Sequence, residues 1–400
     1  MVFRQQRFTV AKCIVSILLV LAALLLPAGA LGNEHGDSTN GGHTDASTKS
    51  WAHLIPEFGI VANVGMAWHF GGPGIIQAGH AMDENGFTLQ GLEVSVSGSV
   101  DRYFGYDLQF DLAHLELKNA YITTLSLPIN MTVKAGYMTV PFGRQNQHCL
   151  HSWNFASPSL AHTRFMGEDA FSGLGAELSF RIPLPWAMII GAQFLDAHSR
   201  TGLRSATFAR VDDTGSGRLD GMEDFVYTAR MDNTFRIKDN WLLAWGLSGA
   251  WGQSPLAPDS RSDLYGTDIY LRYAPDSPGT KPLFVAFTLE YMFRRMHSAD
   301  GMPMDHGGVA QLDIQVTENW AVGARGDLTM MLAGASPDPD TMPDLQWRFG
   351  TSVTFIPTHM SKLRLGYDLG RRQENDAIYH AVLLQLEVAI DTHGEHEHAH

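Results

Sequence analysis

From about residue 58 onward, apolar and polar side chains alternate with period two. Phe225, Tyr227, Ala229, Met231, Phe235 and Ile237 fall on one face of a run, and Thr228, Arg230, Asp232, Thr234 and Arg236 on the other. Val285, Phe287, Leu289, Tyr291 and Phe293 alternate in the same way with Ala286, Thr288, Glu290 and Arg294. Trp347, Phe349, Val353 and Phe355 alternate with Gln346, Arg348, Ser352 and Thr354. A helix would repeat every 3.6 residues, so this period predicts strands with one apolar face. Runs of about ten residues also match the length of a strand that crosses a bilayer at a tilt.

About sixteen such runs follow one another. They lie near 57–69, 87–100, 103–113, 116–126, 129–140, 172–182, 186–197, 224–237, 240–252, 262–274, 282–294, 308–317, 319–331, 345–356, 361–370 and 377–390. The even-numbered connections are short, such as Asp101-Arg102, Lys238-Asp239 and Glu318. The odd-numbered ones are mostly long, up to residues 141–171. Short turns at one end and long loops at the other predict an all-β fold, a closed transmembrane antiparallel β-barrel of about 16 strands. A β-sandwich has no reason to sort its loops by parity, and a propeller would show an internal repeat that is not found. Trp186, Trp241 and Trp320 each follow a short turn, where an interfacial aromatic girdle would lie.

The N-terminus reads differently. Arg4, Arg7 and Lys12 precede an apolar stretch from Cys13 to Leu26, then Pro27 and Ala28-Gly29-Ala30. This predicts a signal peptide over 1–30, cleaved after Ala30. Residues 31–56 are polar, small and His-containing, a disordered leader by composition. The barrel is expected over 57–390 and a His-rich tail over 391–400. With the signal removed, 25 basic and 42 acidic side chains remain, and one cysteine, Cys149. That balance excludes a nucleic-acid partner, which needs a basic footprint. Charged residues make up only 18% of the chain, as expected when much of the surface faces lipid.

No nucleophile elbow, phosphate-binding loop or HExxH motif is present, so no enzyme is read from the chain. The alternation assigns a set of charges to the inner wall as pore-lining residues. The cations are Lys118, Lys134, Arg230, Arg236, Arg272, Arg325, Arg348 and Arg364. The anions are Glu93, Asp107, Asp111, Asp232, Asp268, Glu290, Asp313, Asp327, Asp368 and Glu387. The two signs nearly cancel, which predicts a mixed polar channel with cross-strand ion pairs and little ion selectivity. Histidine is abundant, at 18 residues. His393, His396, His398 and His400 crowd the tail, and His148, Cys149 and His151, with His162 further on, cluster in the longest loop. Imidazole and thiolate suit zinc, so both groups are metal candidates, although neither has a fixed ligand spacing.

The segment KAGYMTVPFGRQN at 134–146 and the segment FMGEDAFSGLGAELS at 165–179 carry a resemblance. The first resembles the phosphate-selective porin superfamily of Gram-negative outer membranes. The second is similar to a branch sometimes labelled zinc-regulated TonB-dependent outer-membrane receptor. The resemblance implies a sixteen-stranded barrel in a Gram-negative outer membrane. Phosphate-selective members line their pore with many lysines, and this chain has few, so anion specificity is not implied. A TonB-dependent transporter needs 22 strands around a plug, for which residues 31–56 are too short.

The expected function is passive diffusion of small polar or ionic solutes through a lumen narrowed by residues 141–171. No cofactor is needed. The expected partners are outer-membrane lipid and small hydrophilic solutes, with a homotrimer as the assembly open to it. The alternative is a zinc-binding outer-membrane protein that uses the tail and loop clusters.

Overall fold

The computed structural model describes residues 56–71, 82, 84–148, 153–167, 170–197, 202–209, 221–257, 260–275, 282–297, 301–334, 345–372 and 378–391. The signal segment, nearly all of the leader and nearly all of the tail lie outside these residues, as do Cys149 and His151.

Sixteen strands form one closed antiparallel barrel. They are β1 (Glu57–Gly71), β2 (Gly86–Ser99), β3 (Phe104–Asp111), β4 (Glu116–Thr124), β5 (Met131–Thr139), β6 (Ser172–Pro183), β7 (Ala187–Asp196) and β8 (Phe225–Lys238), followed by β9 (Trp241–Gln253), β10 (Arg261–Tyr273), β11 (Phe284–His297), β12 (Met304–Thr317), β13 (Trp320–Ala333), β14 (Leu345–Thr358), β15 (Ser361–Arg372) and β16 (Ile378–Asp391). Each strand pairs with its neighbours in sequence. The ring closes where β1 meets β16, from Gly59 opposite Asp391 to Gly71 opposite Tyr379. Closure leaves no strand edge with unpaired backbone groups, which a bilayer could not solvate.

The expected runs match the strands within four residues at either end. The fifth begins at Met131 and not at 129, because Ile129 and Asn130 take left-handed φ values of 56° and 54° in the turn after Pro128. The twelfth begins at Met304 and not at 308. Its extra turn of ladder carries Asp305, which pairs with Arg294 on the neighbouring strand.

The alternation sets inside from outside. Along β11, Ala286, Glu290, Met292, Arg294 and Met296 are buried, while Phe287, Leu289 and Tyr291 are exposed. Exposed large apolar side chains recur on every strand but β5, among them Leu178, Leu247, Leu312, Val353 and Leu386. The polar interior and apolar exterior invert the arrangement of a soluble protein, as a membrane barrel requires.

Trp186 stacks on Phe235, Trp241 packs against Tyr273, and Trp320 against Phe355, with ring centroids 5.4, 4.9 and 4.8 Å apart. All lie at the short-turn end. A second aromatic row lies toward the long-loop end: Trp251 against Tyr265, Tyr291 against His306, and Phe70 stacked on His380. Ten residues of β9 separate Trp241 from Trp251. At ~3.3 Å per residue and a tilt of ~40°, they rise about 25 Å, the height of a lipid-facing band.

Candidate transport passage

The connection from β5 to β6 turns into the barrel. Val140 donates from its backbone to the Phe171 carbonyl, 2.9 Å away, where the chain leaves and returns. Asn146 holds this neck together. Its side-chain nitrogen donates to the carbonyls of Val140 and Phe171, and its oxygen accepts from the Phe171 backbone N–H. Gly143, at φ 61°, reverses the chain beside Glu290. A side chain there would collide with that carboxylate. The Gly143 and Gln145 backbone N–H groups donate to Ser248 Oγ and to Glu290 Oε2, at 3.1 and 3.0 Å. The Arg144 guanidinium lies 3.9 Å from the Tyr270 ring centroid.

Residues 153–158 have no regular structure, so their carbonyls need donors from elsewhere. Inward side chains from four strands supply them. Arg364 on β15 donates to Trp153, Gln90 on β2 to Ala156, Arg325 on β13 to Ser157 and Arg348 on β14 to Pro158, at 2.8, 2.9, 2.7 and 2.5 Å. A short helix follows, α1 (Leu160–Met166), capped by the Ser159 hydroxyl accepting from the His162 N–H. Its Arg164 donates to Asp305 on β12 at 2.7 Å, and Arg294 on β11 binds the same carboxylate through Nη2 and Nε. Three buried ionic groups thus clamp the helix to the wall.

A second connection, residues 202–209 between β7 and β8, braces the first. Thr207 donates to the Phe165 carbonyl at 2.7 Å, and Arg294 reaches the Ala206 carbonyl. Phe208 stacks near Phe171 in an apolar cluster with Phe142, Phe165, Met166, Leu195, Val226, Leu264 and Met292. A second cluster joins Ala156 and Leu160 to Ala67, Met82, Tyr379, Ala381 and Leu383. The inner segments are therefore packed as a small hydrophobic core against the wall, in addition to being hydrogen-bonded to it.

Two cavities lie between the inner segments and the wall among the described residues. The larger, of about 430 Å³, runs beside β4 to β8, between the wall and the entry to the inner segment. Asn119, Tyr121, Lys134, Ser179, Gly191 and Asp232 face it, with Gln147 and Pro141 on the inner side. The smaller, of about 120 Å³, lies beside β10 to β13 and is lined by His148, Tyr270, Glu290, Asp313 and Arg325, among others.

Six of the charges assigned to the inner wall line the two cavities. Lys134, Arg230 and Asp232 line the larger cavity, and Glu290, Asp313 and Arg325 the smaller. Asp327, Arg348, Arg364 and Asp368 also point inward but are buried beside the inner segment. Arg348 is paired with Asp327 at 2.8 Å, and Asp327 also takes Arg325 at 3.2 Å. Asp268 is buried and fixes Arg230 at 2.8 Å. Arg272 lies over the Phe284 ring, and Arg236 is exposed near the turn end. Glu93 accepts from Gln109, Asp111 from the Leu92 and Ala113 N–H groups, and Asp107 stands opposite Tyr121. Lys118 pairs with Glu116, and Glu387 with Lys362.

Around the larger cavity, exposure differs between ion-pair partners. Lys134 keeps 32% of its side chain exposed while its partner Glu177 keeps 8%, and Asp232 keeps 38% while Arg230 keeps 4%. One ammonium and one carboxylate are thus the charges most open to a solute. Sequence reasoning missed Glu177, Gln90, Arg164 and Asp305. A lone Arg164 inside the apolar run LAHTRFM was the available signal, since a buried guanidinium requires a carboxylate partner.

Among the metal candidates, His148 lines the smaller cavity, while Cys149, His151, His393, His396, His398 and His400 lie outside the described residues. Among the described residues, no group of three or more His, Cys, Asp or Glu side chains is placed to hold a metal ion. His162 is buried on α1 with its ring edge against Trp153, at a centroid distance of 5.6 Å.

No family model matches the chain. An uncharacterized protein of Aquifex aeolicus (strain VF5) is 26% identical over 360 residues, covering 81% of this chain and 73% of that one. Among solved structures, the barrel is similar to an anion-selective porin from Comamonas acidovorans, with a TM-score of 0.56, 8% identity, and coverage of 84% of this chain and 99% of that one. It is also similar to OmpT, an outer-membrane protein of Vibrio cholerae in its trimer form, with a TM-score of 0.54, 7% identity, and coverage of 84% and 99%. At these identities the likeness is one of fold: the chain has the sixteen-stranded barrel of outer-membrane porins.

Proposed function

We propose that the protein is an outer-membrane channel of a Gram-negative bacterium through which small polar solutes diffuse passively. The observation that carries this reading is the polar cavity of about 430 Å³ left along β4 to β8 by an inner segment otherwise packed against the wall. A barrel meant only to anchor would have no need to clamp an irregular segment to the wall at its neck, through its backbone and at its helix. The clamp holds the aperture at one width, so exclusion by size needs no moving part. The exposed pair Lys134 and Asp232 makes the lining mixed in sign, which favours neither cations nor anions strongly. A homotrimer suits the barrel, because β3, β4 and β5 are short, at 8, 9 and 9 residues, and a neighbouring copy could shield that low wall.

The test is the reversal potential of the refolded protein in a planar bilayer under a salt gradient. Measurable conductance with a reversal potential near zero is expected. Strong anion selectivity would replace the mixed lining with a phosphate-type pore. Absence of conductance would remove the channel reading.

A further inference from the structure

The outward face of β10 and β11 changes character at the long-loop end. Tyr265 stands opposite Phe293 in the aromatic row. One step beyond, Asp263 stands opposite Arg295, and one step further Arg261 stands opposite His297. These four side chains alternate with Ser262, Leu264, Arg294 and Met296, all buried inside the barrel, so they lie on the outer surface. Asp263 Oδ2 accepts from Arg295 Nη2 at 2.6 Å, from Arg295 Nε at 3.1 Å and from His297 Nε2 at 3.0 Å. Arg261 is exposed and makes no ion pair among the described residues. Two guanidiniums against one carboxylate leave a net positive charge, on a chain whose formal net charge is −14.

The aromatic row fixes the depth of this patch. Amphipathic rings sit at the level of lipid headgroups. Trp251 donates to Tyr265 at 3.3 Å, and Tyr291 shares a hydrogen bond with His306 at 3.1 Å, so the row is tied from β9 to β10 and from β11 to β12. Cations one and two steps beyond it lie in the headgroup layer. Guanidinium pairs with a phosphate through two parallel N–H donors, and the attraction is stronger there than in bulk water. Asp263 is a positioning residue, holding Arg295 and His297 side by side on the outer face.

Resting on the reading of the outer surface as lipid-facing, we propose that Arg261, Arg295 and His297 form a binding site for the phosphate group of a lipid in the adjacent leaflet. The site would hold an anionic lipid as a fixed neighbour of the barrel, separate from the solute passage.

The test uses the full chain in phosphatidylcholine nanodiscs. The discs contain a few per cent of lipid A, which carries phosphate monoesters, or the same lipid stripped of phosphate. Native mass spectrometry counts the lipid retained. The chain should retain the phosphorylated lipid at least tenfold better than the stripped one, and Arg261→Gln/Arg295→Gln should abolish the difference. Arg102→Gln, at the opposite end of the barrel, should leave it unchanged. If the double variant does not fold, Arg261→Gln alone, at an exposed position, carries the test with a smaller expected loss. Equal retention of the two lipids, or retention unaffected by the variants, would overturn the site. Displacement by millimolar inorganic phosphate would assign the residues to a free anion and overturn the lipid. Failure of the chain to enter nanodiscs would overturn the membrane reading and the site with it.

Discussion

Asp305 shows how far one side chain can govern the lumen. Its carboxylate is fully buried and holds both Arg164 and Arg294. Removing its charge would strand two guanidiniums in the core, a loss on the order of 3–5 kcal/mol for a broken buried pair. Asp305→Asn is therefore expected to release α1: proteolysis within residues 153–167 should quicken and the conductance should become larger and noisier. His162 works in the opposite sense. Burial pushes its imidazole down to about 4, against an ordinary value of 6.5. Between these values a detached helix takes up a proton that the docked helix refuses. Docking is therefore unaffected above pH 6.5 and weakens progressively as pH falls toward 4, by up to roughly 3 kcal/mol. Protease sensitivity of α1 should rise in that window, and His162→Phe should flatten the profile. If the profile is the same in both proteins, His162 does not set it. Neither residue's role was legible in the chain. Arg164 and Asp305 are 141 residues apart, and a contact of that range leaves no local pattern.

At the scale of elements, the strands were legible because each carries its own evidence. Period-two alternation fixes which face is apolar, and turn residues such as Pro128 and Lys238-Asp239 mark where each run ends. The inner segment was legible as a long connection expected to narrow the lumen, but not where it would dock on the wall. Its direction depends on arginines drawn from β13, β14 and β15, whose own alternation says only that they face inward. The same limit explains the inner charges: their signs could be read, but not which of them the segment would cover. The weakest ladder is β4 with β5, which pairs only from Ala120 opposite Tyr137 to Thr123 opposite Lys134. Gly136 lies within it at φ 137°, and a Cβ there would collide with the Ala120 carbonyl. Gly136→Val should prevent closure of the barrel, seen as loss of the compact, heat-modifiable form in electrophoresis. Asn146→Leu should spare the barrel but loosen the neck. It leaves the buried Phe171 N–H without a partner, at about 1–3 kcal/mol for a group left unsatisfied, and takes one of two donors from each of the Val140 and Phe171 carbonyls.

For the whole molecule, two aromatic rows set the bilayer position, the closed ladder removes every strand edge, and the interior is divided between packed segment and open cavity. The fold class followed from loop parity and strand length together, because only a barrel gives those two features a common cause. The location of the proposed passage did not follow from either, since it is the space that the inner segment leaves unfilled. That location is the central claim, and cysteine labelling tests it most directly. With both native cysteines replaced by serine, Ser179→Cys places a thiol on the cavity side of β6, while Leu178→Cys, one residue away, places it on the lipid side. In a planar bilayer, a charged thiol reagent should reduce the single-channel conductance of Ser179→Cys and leave that of Leu178→Cys unchanged. Conductance unaffected at Ser179, with labelling confirmed by mass, would show that solute does not pass beside β4 to β8 and would contradict the passage described.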